Sequence, residues 1–206
     1  MRYREKLKIV HVSFSDNEGG AAIAANRIHK AMLDEGINSK LYVSKKSSDG
    51  INIFTKEKEN IFNKLSINFR SFVGHVLRKI GKSINGKHLP PVELLSLLIL
   101  KSDWYKFLNS LDADIINFHW IGNEMMSISE FQKIKKPIVF TLHDMWLFTG
   151  VEHYSNDDRW ITGYPDKKDL NWLIWRYKKL KIKREINIIA PSKWLYNSVK
   201  KSMLGK

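Results

Sequence analysis

The sequence contains no cysteine, so neither disulfides nor thiolate metal ligands contribute to it, and a cytoplasmic location is the expectation. It also lacks a membrane-length apolar run. The longest aliphatic stretch, Val92 to Leu100, includes Glu93 and Ser96 and falls well short of the about 20 apolar residues that a bilayer crossing requires. The opening Met1-Arg-Tyr-Arg-Glu-Lys6 has no apolar segment of the secretory kind. Acidic residues are scarce. Against 35 Lys and Arg stand 21 Asp and Glu, and the net charge of +14 favours an anionic partner such as a phosphate, a nucleic acid or an acidic lipid surface. Two kinds of motif are missing as well. There is no GxGxxG dinucleotide fingerprint, and no HExxH or Cys/His spacing, so neither a metal nor a cofactor is expected.

Aromatic residues are plentiful: 10 Phe, 7 Trp and 7 Tyr can fill a sizeable core, and a chain of 206 residues suits one domain, residues 1–206, with an insertion. Lys8 to Phe14 is a short β-branched and apolar run that leads through Ser15-Asp-Asn-Glu-Gly-Gly20 into an alanine-rich helical segment, Ala21 to Glu35. Ala24, Ile28, Ala31 and Met32 recur at helical spacing there, and Gly36 stands where a helix C-terminus favours glycine. Ser39 to Val43 follows as a strand. This is the order and length of a right-handed βαβ unit in a parallel sheet. Further strands are expected at Asp114–His119, Pro137–Leu142 and Asn187–Ala190, with helices from Ser129, over Trp172–Arg184 and, capped by Ser192, over Trp194 to about Lys201. Residues 144–170 have no clear period and read as a long functional loop.

An insertion at about 56–111 interrupts this alternation. Phe62, Leu65, Phe69, Phe72, Val73, Val76, Leu77 and Ile80 hold a helical period, Pro90-Pro91 ends it, and a second helical stretch is expected from Glu93 to Leu111. Between Glu59 and Glu93 there is no acidic residue, while Lys64, Arg70, Arg78, Lys79, Lys82 and Lys87 are basic. Such a one-signed amphipathic element suits an anionic membrane surface or a lipid-linked acceptor, and equally suits packing its apolar stripe on the sheet.

Chemistry is expected beyond the carboxyl ends of the strands. Gly19 and Gly20 open the first helix, where backbone N–H groups can meet a phosphate; a tight turn needing positive φ accounts for the pair equally well. His119-Trp120 ends one strand and His143-Asp144-Met145-Trp146 ends the next, which brings two imidazoles, a carboxylate and two indoles to one rim. His119, His143 and Asp144 are the candidate catalytic groups, able to exchange protons or to bind hydroxyls, while Trp120 and Trp146 offer faces for stacking on sugar rings. Histidines satisfied at the edge of the core are the competing explanation.

The residues His11-Val-Ser-Phe-Ser15, Glu18-Gly-Gly-Ala-Ala22, Asp114-Ile-Ile-Asn-Phe-His-Trp120, Thr141-Leu-His-Asp-Met-Trp-Leu-Phe-Thr-Gly150, His153-Tyr-Ser155 and Ala190-Pro-Ser-Lys-Trp194 resemble, in order and over nearly the whole chain, the N-terminal half of family 4 glycosyltransferases. The resemblance implies an α/β fold, a Rossmann-like parallel sheet flanked by helices with a helical insertion, forming half of a GT-B fold. It implies a retaining transfer from a nucleotide-sugar donor to a glycan or lipid-linked acceptor, in polysaccharide or glycolipid synthesis. Gly19 and Gly20 would approach the donor diphosphate, His119 would lie beside the transferred sugar, and His143, Asp144, Trp120 and Trp146 would serve the acceptor side. The C-terminal nucleotide-sugar domain would lie beyond Lys206, so the chain alone is expected to be inactive. Location is expected to be cytoplasmic, with peripheral attachment at the inner face of the membrane.

Two other classes compete. The run Arg176, Lys178, Lys179, Lys181, Lys183 and Arg184 beside Trp172 and Trp175 suits a basic nucleic-acid-binding module without catalysis, although no helix-turn-helix, RRM or zinc pattern accompanies it and no specific nucleic acid is expected. A nucleotide-dependent oxidoreductase or epimerase would share the opening βαβ unit but needs GxGxxG and a YxxxK pair.

Overall fold

The computed structural model describes residues 7–56, 61–85 and 95–205; within 61–85, the side chains of 61–67, 82, 84 and 85 are outside the description. The strands are β1 (Lys8–Ser15), β2 (Asn38–Lys45), β3 (Ile53–Thr55), β4 (Ile115–Phe118), β5 (Ile138–Thr141) and β6 (Asn187–Ile189). They form one six-stranded sheet in the order β3-β2-β1-β4-β5-β6, and every pairing is parallel. The helices are α1 (Gly20–Asp34), α2 (Ile61–Asn85), α3 (Trp104–Ser110), α4 (Arg159–Thr162), α5 (Leu170–Lys181) and α6 (Lys193–Lys201). A parallel sheet with its strands joined through helices is a Rossmann-like α/β fold.

Register explains how one sheet carries both a core and a polar stripe. His11 pairs with Asn117 and Val12 with Phe118, while Asn117 pairs with Val139 and Phe118 with Phe140. Side chains alternate with period two, so Val10, Val12, Ile116, Phe118, Ile138 and Phe140 fall on one face and join the main hydrophobic core. The opposite face receives His11, Ser13, Asn117, His119 and Thr141, all buried. Helix α1 belongs to this polar side. It turns Ala22, Ala25 and His29 inward, whereas the expected apolar positions Ala24 and Ala31 are more exposed. The face is rotated because His29 finds partners on the sheet side, at Ser39 Oγ (2.7 Å) and the Ile51 carbonyl (2.9 Å). Beyond α1, Gly36 adopts φ of 72°, and its N–H and that of Ile37 reach back to the Leu33 and Met32 carbonyls, closing the helix as the glycine predicts.

Several expectations change. Strand β3 lies within Ile53–Thr55, too short for a periodic signal, and extends the sheet beyond the strands read from the sequence. The segment after Ser129 forms a 3-10 helix, Ile128–Lys133, with Ser127 as its cap. Among the described residues of the stretch expected to be helical from Glu93 to Leu111, helix is confined to Trp104–Ser110; Leu95 instead makes an antiparallel bridge to Glu152, and Leu95, Leu97 and Leu98 fill the core. Glu93 itself, the Pro90-Pro91 stop and Lys87 lie outside the described residues, as do the side chains of Phe62, Lys64, Leu65 and Lys82. Among the described residues no helix is long and apolar enough to cross a membrane.

Helix α2 docks by a mixed face, in which Leu77 packs against the core and Gly81 lies against Leu170 beside a buried ion pair. Arg78 donates to Glu124 at 3.1 Å, with 7% and 0% of the two side chains exposed, and Arg70 donates to the Glu124 and Met125 carbonyls. Glu124 Oε1 also accepts from Leu97 N (3.0 Å), and burial raises its pKa while that bond and Arg78 oppose the shift. Phe69, Phe72, Val76 and Ile80, spaced along one side of the helix, remain exposed, so they do not pack on the sheet.

Candidate functional site

The strand order reverses between β1 and β4, and the loops leaving those two strands diverge. A cleft of about 410 Å³ opens there, lined by Ser13, Ser15, Gly19 and Gly20 on one side and by Trp120, His143, Asp144, His153 and Tyr154 on the other. In an open parallel sheet this switch point is where backbone N–H groups and helix N-termini remain free for a ligand.

The glycine side is built for close approach. Gly19 has φ of 84° and ψ of 165°, a conformation reserved for glycine, and opens α1 without any side-chain cap. A Cβ added at either Gly19 or Gly20 would meet nothing within 4 Å, so the backbone of both borders the open cleft, and the first N–H groups of a helix have no partner within it. Ser13 Oγ is buried without a partner among the described residues. Ser15 Oγ accepts from Asn17 N (3.2 Å) and Glu18 N (3.0 Å), which leaves its own proton to donate. The loop is clamped from below by Asp16, which accepts from the backbone N–H and hydroxyl of both Ser47 and Ser48 at 2.6–2.9 Å. Burial alone would raise the Asp16 pKa; the four bonds outweigh it and hold it below the ordinary value. Glu18 also lines the cleft and pairs with Lys45 at 2.5 Å.

The opposite wall is held by carboxylate and imidazole groups. Asp144 Oδ1 accepts from Trp146 N at 2.9 Å, and its Oδ2 lies 2.5 Å from His153 Nδ1. Trp120 Nε1 points at the same His153 nitrogen from 3.1 Å. One ring nitrogen cannot donate to the carboxylate and accept from the indole together. The charge-assisted contact decides it, placing the proton on Nδ1 toward Asp144 and leaving Nε2 to accept from the Ser96 hydroxyl at 2.9 Å. Asp144, His153 and Ser96 thus share the connectivity of an acid-base-nucleophile triad, but Ser96 is 1% exposed and does not line the cleft, so the arrangement locks the loop rather than presenting a nucleophile.

His119 and Trp146 stand behind the wall. His119 is fully buried, with Nδ1 3.0 Å from His143 Nε2 and Nε2 3.0 Å from His11 Nδ1. Burial, then the neighbouring His11 and His143, pushes its pKa down to about 2; burial, then His29, takes His11 down to about 4. His143 is lowered too, by burial, with Asp144 opposing. All three rings are therefore neutral near pH 7. Trp146 donates Nε1–H to the Ser96 carbonyl (2.8 Å) and is covered by the Lys178 ammonium, 3.7 Å from the ring centre. Lys178 is completely buried and donates to the Trp146, Thr149 and Gly150 carbonyls, so it organises the loop that the sequence left without a period. Gly150 is needed in that loop, because a Cβ would lie 2.3 Å from Asn171 Oδ1 and 2.5 Å from Asn171 Cα.

Of the residues singled out from the sequence, Gly19, Gly20, Trp120, His143 and Asp144 converge on the cleft, while His119 and Trp146 support it from the core. Ser13, Ser15, His153 and Tyr154 were not singled out as site residues. The alternation of His11, Ser13 and Ser15 along a buried strand is the signal that points to the first two; the partners of His153 are visible only in three dimensions. Among the described residues no cluster of His, Asp and Glu is arranged to hold a metal. Of the basic run on α5 and beyond, Lys178 is buried and Arg184 turns inward to the Ile134 and Lys136 carbonyls, so the run is not a continuous cationic surface.

Fold and cleft together define an open α/β domain with a ligand crevice at its switch point. Comparison with known protein families, curated proteins and solved structures gave no match to this chain.

Proposed function

We propose that this domain is the acceptor-side half of a retaining, nucleotide-sugar-dependent glycosyltransferase of the GT-B kind, acting in polysaccharide or glycolipid synthesis with a second, nucleotide-binding domain. The observation that carries the reading is the division of the cleft: hydroxyls and helix N–H groups suited to a diphosphate on one wall, and an imidazole, an indole and a phenol suited to a hydroxylated ring on the other. The sequence resemblance over the same residues supports it. The chain by itself is expected to bind but not to transfer, since the leaving diphosphate needs positive groups that this cleft does not contain. Thermal-shift measurements with pyrophosphate and a panel of sugar nucleotides test the reading. A concentration-dependent rise in Tm is expected; no response to any of them at millimolar concentration would overturn it, as would rapid sugar transfer by this chain alone.

The same reading assigns α2 to an anionic membrane that presents the acceptor. Phe69 and Phe72 are about two-thirds exposed (67% and 65%), and Lys79 is exposed beside them. Arg70 and Arg78 are spent on the Glu124 loop, so the attraction rests more on apolar insertion than the six basic residues of the sequence suggest. Co-sedimentation with anionic vesicles should fall strongly in a Phe69→Ser/Phe72→Ser variant. Equal sedimentation of variant and parent would remove α2 from this role.

A further inference from the structure

Three imidazoles form an uninterrupted chain from the core to the cleft. His11 Nε2 lies 3.3 Å from Met32 Sδ, His11 Nδ1 lies 3.0 Å from His119 Nε2, and His119 Nδ1 lies 3.0 Å from His143 Nε2. Each contact needs one protonated and one bare atom, and a neutral imidazole has one of each. The end of the chain decides its direction. A thioether can only accept, so His11 must carry its proton on Nε2, which leaves Nδ1 bare. His119 must then donate through Nε2, and His143 through Nε2 in turn. A second contact agrees: with Asn117 Oδ1 accepting from the Thr141 hydroxyl at 3.0 Å, the amide N–H faces His11 Nδ1 at 3.4 Å, where a bare nitrogen is tolerated. The reverse arrangement would set an N–H against the amide donor and a bare nitrogen against sulfur lone pairs.

We infer that His143 Nδ1 is a fixed hydrogen-bond acceptor of the cleft, kept unprotonated by a one-way imidazole chain anchored on Met32, and that it receives a hydroxyl of the bound ligand. His143 lines the cleft, and Nδ1 has no protein partner among the described residues and is not buried. The assignment rests on reading the cleft as a site for a hydroxylated ligand, and it specifies the polarity of one subsite: ligands that present a donor there are accepted, and their O-methylated counterparts are not. His11, His119 and Met32 act as positioning residues. The chain orients and does not conduct, because a proton sent inward would place an imidazolium on rings whose burial opposes it and would meet no exit at the sulfur.

Two-bond proton–nitrogen correlation spectra of the full 15N-labelled chain near neutral pH, assigned with single His→Gln variants, read the tautomers directly. His11, His119 and His143 are expected to be protonated at Nε2 alone, with Nδ1 of each at the unprotonated position. A protonated or exchange-averaged Nδ1 on His143 would overturn the inference. Met32→Leu, which nearly conserves volume, combined with Asn117→Leu, removes both contacts that fix the direction at His11 and should shift the His11 and His143 Nδ1 resonances toward averaged positions; an unchanged pattern would remove both contacts from the role. Absence of sugar-nucleotide binding would sink the glycosyltransferase reading and leave these spectra unchanged, so the two failures are distinguishable.

Discussion

The two glycines at the start of α1 separate a structural from a ligand-binding role, and they can be perturbed one at a time. Gly19→Ala forces a Cβ into a backbone conformation at φ of 84° that essentially only glycine adopts, at a cost of about 1–3 kcal/mol. For a chain of this size each kcal/mol lowers Tm by about 2–4 °C, so a fall of roughly 2–12 °C is expected. Gly20 is different. It is the first helical residue, with no positive φ and nothing within 4 Å of an added methyl, so alanine should leave stability unchanged or raise it by up to about 0.5–1 kcal/mol. On the diphosphate reading, that methyl narrows the approach of the ligand to the first-turn N–H groups. Losing one hydrogen bond to a charged oxygen costs about 1.5–3 kcal/mol, which is roughly a ten- to hundredfold weaker Kd. Calorimetric titration of pyrophosphate into parent and Gly20→Ala, alongside thermal melts of both variants, makes the comparison. If Gly20→Ala binds pyrophosphate as the parent does, or melts as low as Gly19→Ala, the diphosphate reading of this turn is wrong.

Other consequences follow from the buried groups. The folded-state pKa values of His11 and His119 lie below the ordinary 6.5, at about 4 and about 2, so the unfolded chain binds more protons in the window from about pH 6 to 4. Stability is fully present above about pH 6.5 and should decline on acidification, with a limiting slope of about 2.7 kcal/mol per pH unit for the two groups; urea melts at stepped pH check this, and a flat profile would refute neutral burial. Glu124→Ala strands the Arg78 guanidinium in the interior and should cost about 3–5 kcal/mol by denaturant unfolding, with the Arg78→Met/Glu124→Leu pair recovering much of the loss. Lys178→Met keeps the stem but removes the donor to the Trp146, Thr149 and Gly150 carbonyls. It should destabilise the chain by about 2–4 kcal/mol and raise hydrogen exchange in residues 144–153, whereas a neutral effect would show that the ammonium is dispensable.

The α/β alternation and most of its boundaries were legible in the amino-acid order, because that information is local. β-branched runs of strand length, the Gly36 stop and the Ser192 cap act within a few residues, and the helix ends and strands of the structure fall close to those places. Gly19, Gly20, Trp120, His143 and Asp144 could also be assigned to one rim, since strand ends in a parallel sheet meet at one edge whatever the strand order. Packing settled the remainder. Whether His119 and Trp146 face the cleft or the core depends on what lies behind them, namely His11 and Lys178, which are distant in sequence. The apolar period of α2 shows a stripe but not which part of it docks; in the fold Leu77 packs on the core beside the Arg78–Glu124 pair, while Phe69, Phe72, Val76 and Ile80 stay exposed. The three-residue β3 has too few positions to show a period, and only its pairing with β2 makes it a strand. The direction of the imidazole chain is set by a sulfur and an amide that meet His11 through folding, because hydrogen-bond polarity is a property of neighbours in space and not of neighbours in sequence.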